Sequence, residues 1–276
     1  MKYQEFQLSI QNLPLHVCHW HQSVVSHLII LVHGMGEHAG RYADFVVPSL
    51  VKNGAAVIDF DQVGHGKSGG KRGHCSSYEV LLESLHLVIQ KGKELYKEKP
   101  VFVYGQSMGG NVSLNYTLRK TPELSGVIAS SPFLRLAFQP PAWKMTLGKL
   151  LLKILPAVTL PMDLDTNALS KDPKEVKKYE QDPLVHNKIS PNFSFPIIEA
   201  GEWAIQNSQK LLVPALVMHG TADRIIDHKG SIAFAKNNDL VSLKLFEGGF
   251  HELHNDLEKE EVLLFVTDWV NHQLKK

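Results

Sequence analysis

The sequence contains few of the residues that mark specialised classes of protein. Only two of its 276 residues are cysteines, Cys18 and Cys75, which make no disulfide framework and lack metal-site spacing. Its 29 lysines and arginines nearly balance 28 acidic residues, so the net charge of +1 provides no basic surface for nucleic acid. We therefore expect no nucleic-acid partner and no structural metal.

Long hydrophobic runs are also missing. The first ten residues, MKYQEFQLSI, lack the apolar segment of a secretory signal. No uncharged apolar run approaches the roughly 20 residues that span a bilayer. These absences predict a cytoplasmic protein, and the apolar fraction of 43% is that of an ordinary globular chain.

Short β-rich runs alternate with helical patterns along the chain. The runs that predict strands are continuous and apolar, which indicates strands buried on both faces of a mostly parallel sheet flanked by helices. Most of them end at glycines or polar residues, at the sheet edge where open α/β folds place their ligand sites. The predicted class is α/β, with strands at 28–32, 55–60, 101–104, 126–130, 214–218 and 241–246.

One segment interrupts this alternation. Residues 136–203 contain clustered prolines and no obvious sheet strand, which predicts a mainly helical cap inserted into a core formed by residues 1–135 and 204–276. The centre of the segment, 146–161, is largely apolar apart from two lysines. It is either a helix packed on the main domain or a lid that lines a lipid site or meets a membrane surface.

The pattern G-Q-S-M-G at 105–109 lies where a predicted strand passes into a predicted helix. The pattern alone is weak, because short glycine and serine patterns arise often by chance. Its position is that of a nucleophile elbow, in which the serine occupies a strained turn. Ser107 is therefore the candidate nucleophile, and the alternative is an idle serine in a tight glycine turn.

A serine nucleophile needs a base and a carboxylate that orients the base. In this type of fold the carboxylate and then the histidine follow the serine along the chain. Asp223 lies in the turn just after the fifth predicted strand, and His251 follows a glycine pair after the sixth. Asp227 and His254 are the rivals, and each lies farther from its strand end.

An acyl-transfer enzyme must also stabilise an oxyanion, usually with two backbone N–H groups. Met108, directly after the candidate nucleophile, supplies one. Met35 is the natural second donor, because it lies between glycines in the turn HGMGEH after the first predicted strand. The remaining histidines are given no role, and a metal site is not expected at the N-terminal group, for which no acidic partner is evident: His16, His19 and His21.

Together these segments resemble the α/β-hydrolases, and more narrowly the monoacylglycerol lipases and related lysophospholipases. The resembling segments span most of the chain: HGMGEHAGRY at 33–42, DQVGHGKS at 61–68, GQSMGG at 105–110, DPL at 182–184, GTADR at 220–224 and EGGFHELH at 247–254. The resemblance implies an α/β-hydrolase fold with Ser107, Asp223 and His251 as the triad. It implies Met35 and Met108 as the oxyanion donors.

The resemblance also implies a lid over an apolar acyl tunnel, supplied by residues 136–203. It suggests that Glu37, Arg41, Tyr179 and His254 form a polar end that receives a glycerol-like group. The same four side chains are equally consistent with a salt-bridged or hydrogen-bonded scaffold. Gln106 departs from the family, which commonly has histidine there, and the departure bears on local hydrogen bonding more than on catalysis.

The predicted reaction is the hydrolysis of a monoacylglycerol to fatty acid and glycerol through an acyl-enzyme, without metal or organic cofactor. The alternatives are a lysophospholipid, thioester or small ester as substrate, acyl transfer to an acceptor other than water, and a non-catalytic binding protein of this fold. A lipid substrate implies transient contact of the cap with a membrane surface, so the expected location is the cytoplasm or the membrane periphery. The sequence contains no signal for an oligomeric state.

Overall fold

An eight-stranded sheet forms the centre of the computed structural model, which describes residues 1–139 and 141–276. Pro140, one of the prolines of the predicted cap, lies outside the described residues. The ten strands are β1 Lys2–Ile10, β2 Leu13–His21, β3 His27–Val32, β4 Ala55–Phe60, β5 Val101–Gln106, β6 Gly126–Ser130, β7 Leu160–Pro161, β8 Lys188–Ile189, β9 Ala215–Gly220 and β10 Val241–Phe246. In the sheet they are ordered β1-β2-β4-β3-β5-β6-β9-β10, and β7 pairs separately with β8.

The six predicted strands correspond to β3, β4, β5, β6, β9 and β10, and their pairings with one another are all parallel. The hairpin of β1 and β2 was not predicted, and it pairs antiparallel with β4 through β2. Most side chains of β1 are exposed. An edge strand of this kind alternates polar and apolar residues, so it produces no continuous apolar run.

Helices cover both faces of the sheet. They are α1 Val46–Lys52, α2 Tyr78–Leu95, α3 Met108–Lys120, α4 Ala142–Ile154, α5 Pro173–Gln181, α6 Pro191–Gln206, α7 His228–Ala235 and α8 Lys259–Gln273. Short 3₁₀ turns occur at Ala39–Tyr42, Thr166–Ala168, Ser208–Lys210 and Leu253–Asn255. Along β3, Leu28 and Ile30 belong to a core cluster that includes side chains of α2, α3, α6 and α7, whereas Ile29 and Leu31 belong to a second cluster that includes side chains of α1 and α8. The sheet is therefore buried on both sides, as its apolar strands require.

Residues between β6 and β9 add no strand to the eight-stranded sheet in the part of the chain that the structure describes. Within this segment α4 has exposed apolar side chains, including Leu147, Leu150 and Ile154. By contrast, α6 buries Phe193 and Ile197 in the main core. The predicted boundary at residue 203 thus falls inside a helix that packs on α3 and contributes to the main core. None of the described helices is long and apolar enough to cross a membrane.

Candidate active site

Ser107 occupies a sharp turn between β5 and α3. Its φ of 53° and ψ of −115° lie in a region that residues other than glycine rarely adopt. Strain of this kind costs on the order of 1–3 kcal/mol and persists only where surrounding contacts enforce it. Here the Ser107 N–H donates to the Ser130 carbonyl, and the Ser107 carbonyl accepts from Phe133 N–H, both at 2.9 Å. Gly109 permits the turn, because a Cβ there would lie 1.9 Å from the carbonyl oxygen of Val32.

His251 lies beside the serine. Its Nε2 is 3.0 Å from Ser107 Oγ, and its Nδ1 is 2.7 Å from Asp223 Oδ2. All three side chains are buried. With the ring proton on Nδ1 donated to the carboxylate, Nε2 is free to accept the hydroxyl proton. The three residues that the sequence predicts as a triad are therefore brought into one hydrogen-bonded chain.

Asp223 accepts four hydrogen bonds. Oδ1 accepts from the backbone N–H groups of Ile225 at 2.8 Å and Ile226 at 3.0 Å. Oδ2 accepts from His251 and, at 3.1 Å, from His219 Nε2. Burial alone would raise the pKa of this carboxyl, but the two imidazoles outweigh burial and hold the pKa far below its ordinary value. The acid is therefore a fixed carboxylate at neutral pH.

The charge of this carboxylate also acts on His251. Burial by itself would lower the pKa of the imidazole, yet Asp223, with smaller contributions from Glu252 and Glu37, raises it above its ordinary value. The imidazolium that forms when His251 takes a proton is thus stabilised by a neighbouring negative charge.

Sequence reasoning missed His219, which was given no role. The signal for it was its place at the end of β9, four residues before Asp223. Asp227, the rival acid, instead caps α7, where its side chain accepts from Lys229 N–H at 3.0 Å.

The two predicted oxyanion donors flank the serine. Met108 is the first residue of α3, where backbone N–H groups have no partner within the helix. The loop after β3 lies against the nucleophile, since a Cβ on Gly34 would be 3.3 Å from Ser107 Cβ. Within the described residues, neither the Met35 nor the Met108 N–H donates a hydrogen bond to the protein. Both amides are therefore available to a ligand oxygen.

A cavity of about 380 Å³ opens onto Ser107 and His251. Its walls are mainly apolar, and most come from the segment between β6 and β9: Leu136, Phe138, Met145, Leu160, Met162, Leu164, Leu169, Ile189, Phe195 and Ile198. Such a surface binds an aliphatic chain in preference to a polar group.

The four predicted polar-end residues separate into two pairs. Glu37 and Tyr179 line the cavity, whereas Arg41 and His254 are not among its lining residues. Arg41 donates two hydrogen bonds of 2.7 Å to Glu252 and another to Glu37, and its guanidinium lies 4.8 Å from the Tyr179 ring centroid. Arg41 thus contacts three residues that line the cavity, without lining it itself.

His254 is fully buried, and its ring stacks on Tyr42 with centroids 4.8 Å apart. Neither ring nitrogen has a hydrogen-bond partner within the described residues. Gln106, which departs from the resembling family, lines the cavity and donates from Nε2 to the backbone carbonyl of His251 at 3.0 Å. This hydrogen bond connects the main chain of His251 to the end of β5, directly before Ser107.

The expectation that the N-terminal histidines lack an acidic partner is wrong for His16. Its Nε2 lies 3.2 Å from Glu5 Oε2 and its Nδ1 lies 3.3 Å from Asp61 Oδ2. Glu5, His16 and Cys18 place one potential ligand atom each within 4.8 Å of one another. The unpredicted hairpin explains the error, since its register sets Glu5 directly opposite Cys18.

Comparisons with known proteins show which family and which solved structures this chain resembles. A family model described as serine aminopeptidase, S33, matches residues 24–258. The monoglyceride lipase of Rattus norvegicus is 34% identical over 254 residues, which cover 90% of this chain and 83% of that protein. An uncharacterised abhydrolase domain-containing protein of Dictyostelium discoideum is 34% identical over 251 residues, although the chain spans only 26% of its length.

Among solved structures, that of Paleococcus ferrophilus monoacylglycerol lipase matches with a TM-score of 0.86 and 32% identity. The match covers 94% of this chain and 99% of the other. Together with the family match, it confirms the predicted α/β-hydrolase fold.

Proposed function

This chain belongs to the serine aminopeptidase S33 family of hydrolases, and we propose that within this family it hydrolyses monoacylglycerols to fatty acid and glycerol. The chain is a carboxylic ester hydrolase. The observation that carries the substrate proposal is the apolar cavity that opens directly onto the hydroxyl of Ser107. A single aliphatic chain bound there would bring its ester carbonyl to the nucleophile.

The proposed reaction proceeds through an acyl-enzyme. His251 takes the Ser107 proton as the oxygen attacks the ester carbonyl, and Asp223 stabilises the imidazolium. The N–H groups of Met35 and Met108 bind the oxyanion. His251 then gives its proton to the departing glycerol oxygen, and a water molecule releases the fatty acid by the same steps.

We assign the glycerol end to the polar part of the cavity wall. Glu37 and Tyr179 reach this wall, and each offers an oxygen to a hydroxyl group. Arg41 then acts by holding Glu37 and Glu252 in place, and His254 acts by packing on Tyr42. A monoester with two free hydroxyls fits a cavity that has apolar walls and one polar end better than a fully apolar ester does.

A panel of esters tests the substrate. We expect kcat/KM for a long-chain monoacylglycerol to exceed that for a short water-soluble ester at least tenfold, because a longer chain buries more apolar surface, at about 0.8 kcal/mol per CH₂. Lysophosphatidylcholine and a long-chain acyl thioester belong in the same panel. A higher kcat/KM for either of these, or for the short ester, would contradict the monoacylglycerol assignment.

We also propose that residues 136–203 form a cap that contacts the lipid surface through α4. Leu147, Leu150 and Ile154 are 44%, 52% and 63% exposed on this helix. Lys149 and Lys153 belong to the same helix, and cationic side chains favour binding of an amphipathic helix to anionic lipid.

Replacing Leu147, Leu150 and Ile154 together by serine is expected to weaken binding to vesicles of mixed zwitterionic and anionic lipid at least tenfold, because three apolar side chains no longer enter the interface. Vesicle co-sedimentation measures this, and hydrolysis of a short water-soluble ester is expected to stay near the wild-type rate. Serine replacement of Leu212, Leu257 and Leu264, which are also exposed, is the matched control. Equal vesicle binding by the α4 variant and the control would refute the contact.

A further inference from the structure

A second imidazole contacts the same carboxylate oxygen as the proposed base. His219 is fully buried at the end of β9, with Nε2 3.1 Å from Asp223 Oδ2 and 3.2 Å from the Ile226 carbonyl. Its Nδ1 lies 2.7 Å from the hydroxyl oxygen of Ser231 on α7, which is also fully buried. The proposed mechanism gives His219 no part.

The partners of His219 define its tautomer. Both groups facing Nε2 are acceptors, a carboxylate and a backbone carbonyl, so Nε2 carries the ring proton and donates it. Nδ1 of this tautomer then accepts a hydrogen bond from the Ser231 hydroxyl, so that every polar atom of the two side chains has a partner. The hydrogen bonds thus form a chain from Ser231 through His219 and Asp223 to His251.

We propose that His219 is a positioning residue for the base, because its Nε2–H takes a share of the charge on Asp223 Oδ2 and so keeps His251 unprotonated at lower pH. This proposal rests on the proposed function, in which His251 acts in its neutral form. Two backbone N–H groups hold Oδ1 independently. The carboxylate therefore stays in place without His219, and the main effect of His219 is electrostatic.

Few other charged or titratable groups of the described residues lie near this chain of hydrogen bonds. Asp223, Glu252 and Glu37 act on His251 in the direction of protonation. The buried His254 lies close enough to interact with His251. His228 on α7 has its ring centroid 6.4 Å from that of His219, and it lies beside Asp227. Among these histidines, His219 donates directly to the oxygen that His251 also uses.

The test is the pH dependence of kcat/KM for a short water-soluble ester. His219→Leu removes the donor, concentrates the charge of Asp223 on His251 and raises the pKa of the base. Since only neutral His251 accepts the serine proton, the acid limb is expected to move up by about 0.5–1 pH unit. At pH values below the acid limbs of both proteins, kcat/KM of the variant is then expected to be about 3- to 10-fold lower than that of the wild type. At pH values above both limbs, it is expected to stay within a few-fold of the wild-type value. KM is expected to change little.

Two further variants separate this effect from a loss of packing. His219→Gln places an amide N–H near Nε2 and is expected to return the limb to its wild-type position. His228→Gln changes the neighbouring histidine without touching Asp223, so its limb stays unmoved. Each preparation is normalised by active-site titration with a fluorophosphonate. If His219→Leu does not fold, Ser231→Ala replaces it. Without the serine hydroxyl, the ring proton of His219 is no longer held on Nε2, so the acid limb is expected to shift upward by a smaller amount.

An acid limb at the wild-type position in His219→Leu, or in Ser231→Ala where the first does not fold, would overturn the proposal. So would an equal shift in the leucine and glutamine variants. Failure of the proposed function has a different signature, which is wild-type hydrolysis by Ser107→Ala. An unmoved limb together with inactive Ser107→Ala rejects only the role of His219.

Discussion

Ser107→Ala is expected to lower kcat for ester hydrolysis by about 10⁴- to 10⁶-fold, because the hydroxyl is the only proposed nucleophile and no acyl-enzyme forms without it. Alanine retains the Cβ, so the backbone at φ 53° is neither relieved nor further strained. The side-chain oxygen that is lost has one hydrogen-bond partner within the described residues, His251 Nε2. We therefore expect the free energy of unfolding to change by no more than about 1 kcal/mol.

Labelling by a fluorophosphonate probe and initial rates on a monoacylglycerol measure the effect. Ser113→Ala is a matched control, because Ser113 is buried on α3, where its hydroxyl donates to the Gly109 carbonyl at 2.7 Å. The control is expected to keep both the label and the activity. Persistent labelling of Ser107→Ala would place the reactive nucleophile at another residue. A native protein that takes no label would favour the non-catalytic binding protein of this fold.

The residues of the proposed triad were predictable because each has a local sequence signal. Ser107, Asp223 and His251 all follow a predicted strand, and the carboxyl ends of parallel strands meet at one edge of a sheet. The order of the three along the chain then leaves few alternatives. The positions of these residues at strand ends, together with their order along the chain, therefore predict contacts between residues far apart in the sequence.

Other features depend on contacts that no local pattern encodes. Arg41 and Glu252 are 211 positions apart, and only the finished fold brings their side chains together. The role of His219 depends on the rotamer of Asp223 and on the packing of α7 against β9. The helical nature of 191–206 gives no sign of whether α6 belongs to the cap or to the core, because its apolar face suits either.

Arg41→Met provides the strongest test of whether the charged cluster is a scaffold or a part of the substrate site. The side chains of Arg41, Glu37 and Glu252 are 7%, 4% and 5% exposed. Burial alone would raise the pKa of the Glu252 carboxyl, but the charge and hydrogen bonds of Arg41 lower the pKa well below its ordinary value. Without the guanidinium two carboxylates remain buried and uncompensated, and such a change costs about 3–5 kcal/mol of unfolding free energy.

The loss of unfolding free energy in Arg41→Met is expected to be larger at neutral pH than at acidic pH. In the wild type, the lowered pKa of Glu252 contributes stability above the unfolded-state pKa of about 4.3, and acidification through the folded-state pKa removes it. In Arg41→Met, burial without a partner raises the pKa of Glu252, so that protonation relieves the penalty as the pH falls. Urea unfolding should therefore show the largest difference between variant and wild type near pH 7 and a smaller one near pH 4.

Arg135→Met is the matched control, because Arg135 makes the same two-pronged pair with Glu202, at 2.6 and 2.8 Å, with both side chains about 40% exposed. An exposed pair of this kind contributes at most about 1 kcal/mol, so the control is expected to unfold almost as the wild type does. Equal stability of Arg41→Met and Arg135→Met, with a raised KM for monoacylglycerol in the first alone, would assign Arg41 to the substrate. A large, pH-dependent loss of stability confined to Arg41→Met assigns it to the scaffold, because water screens the exposed pair and not the buried one.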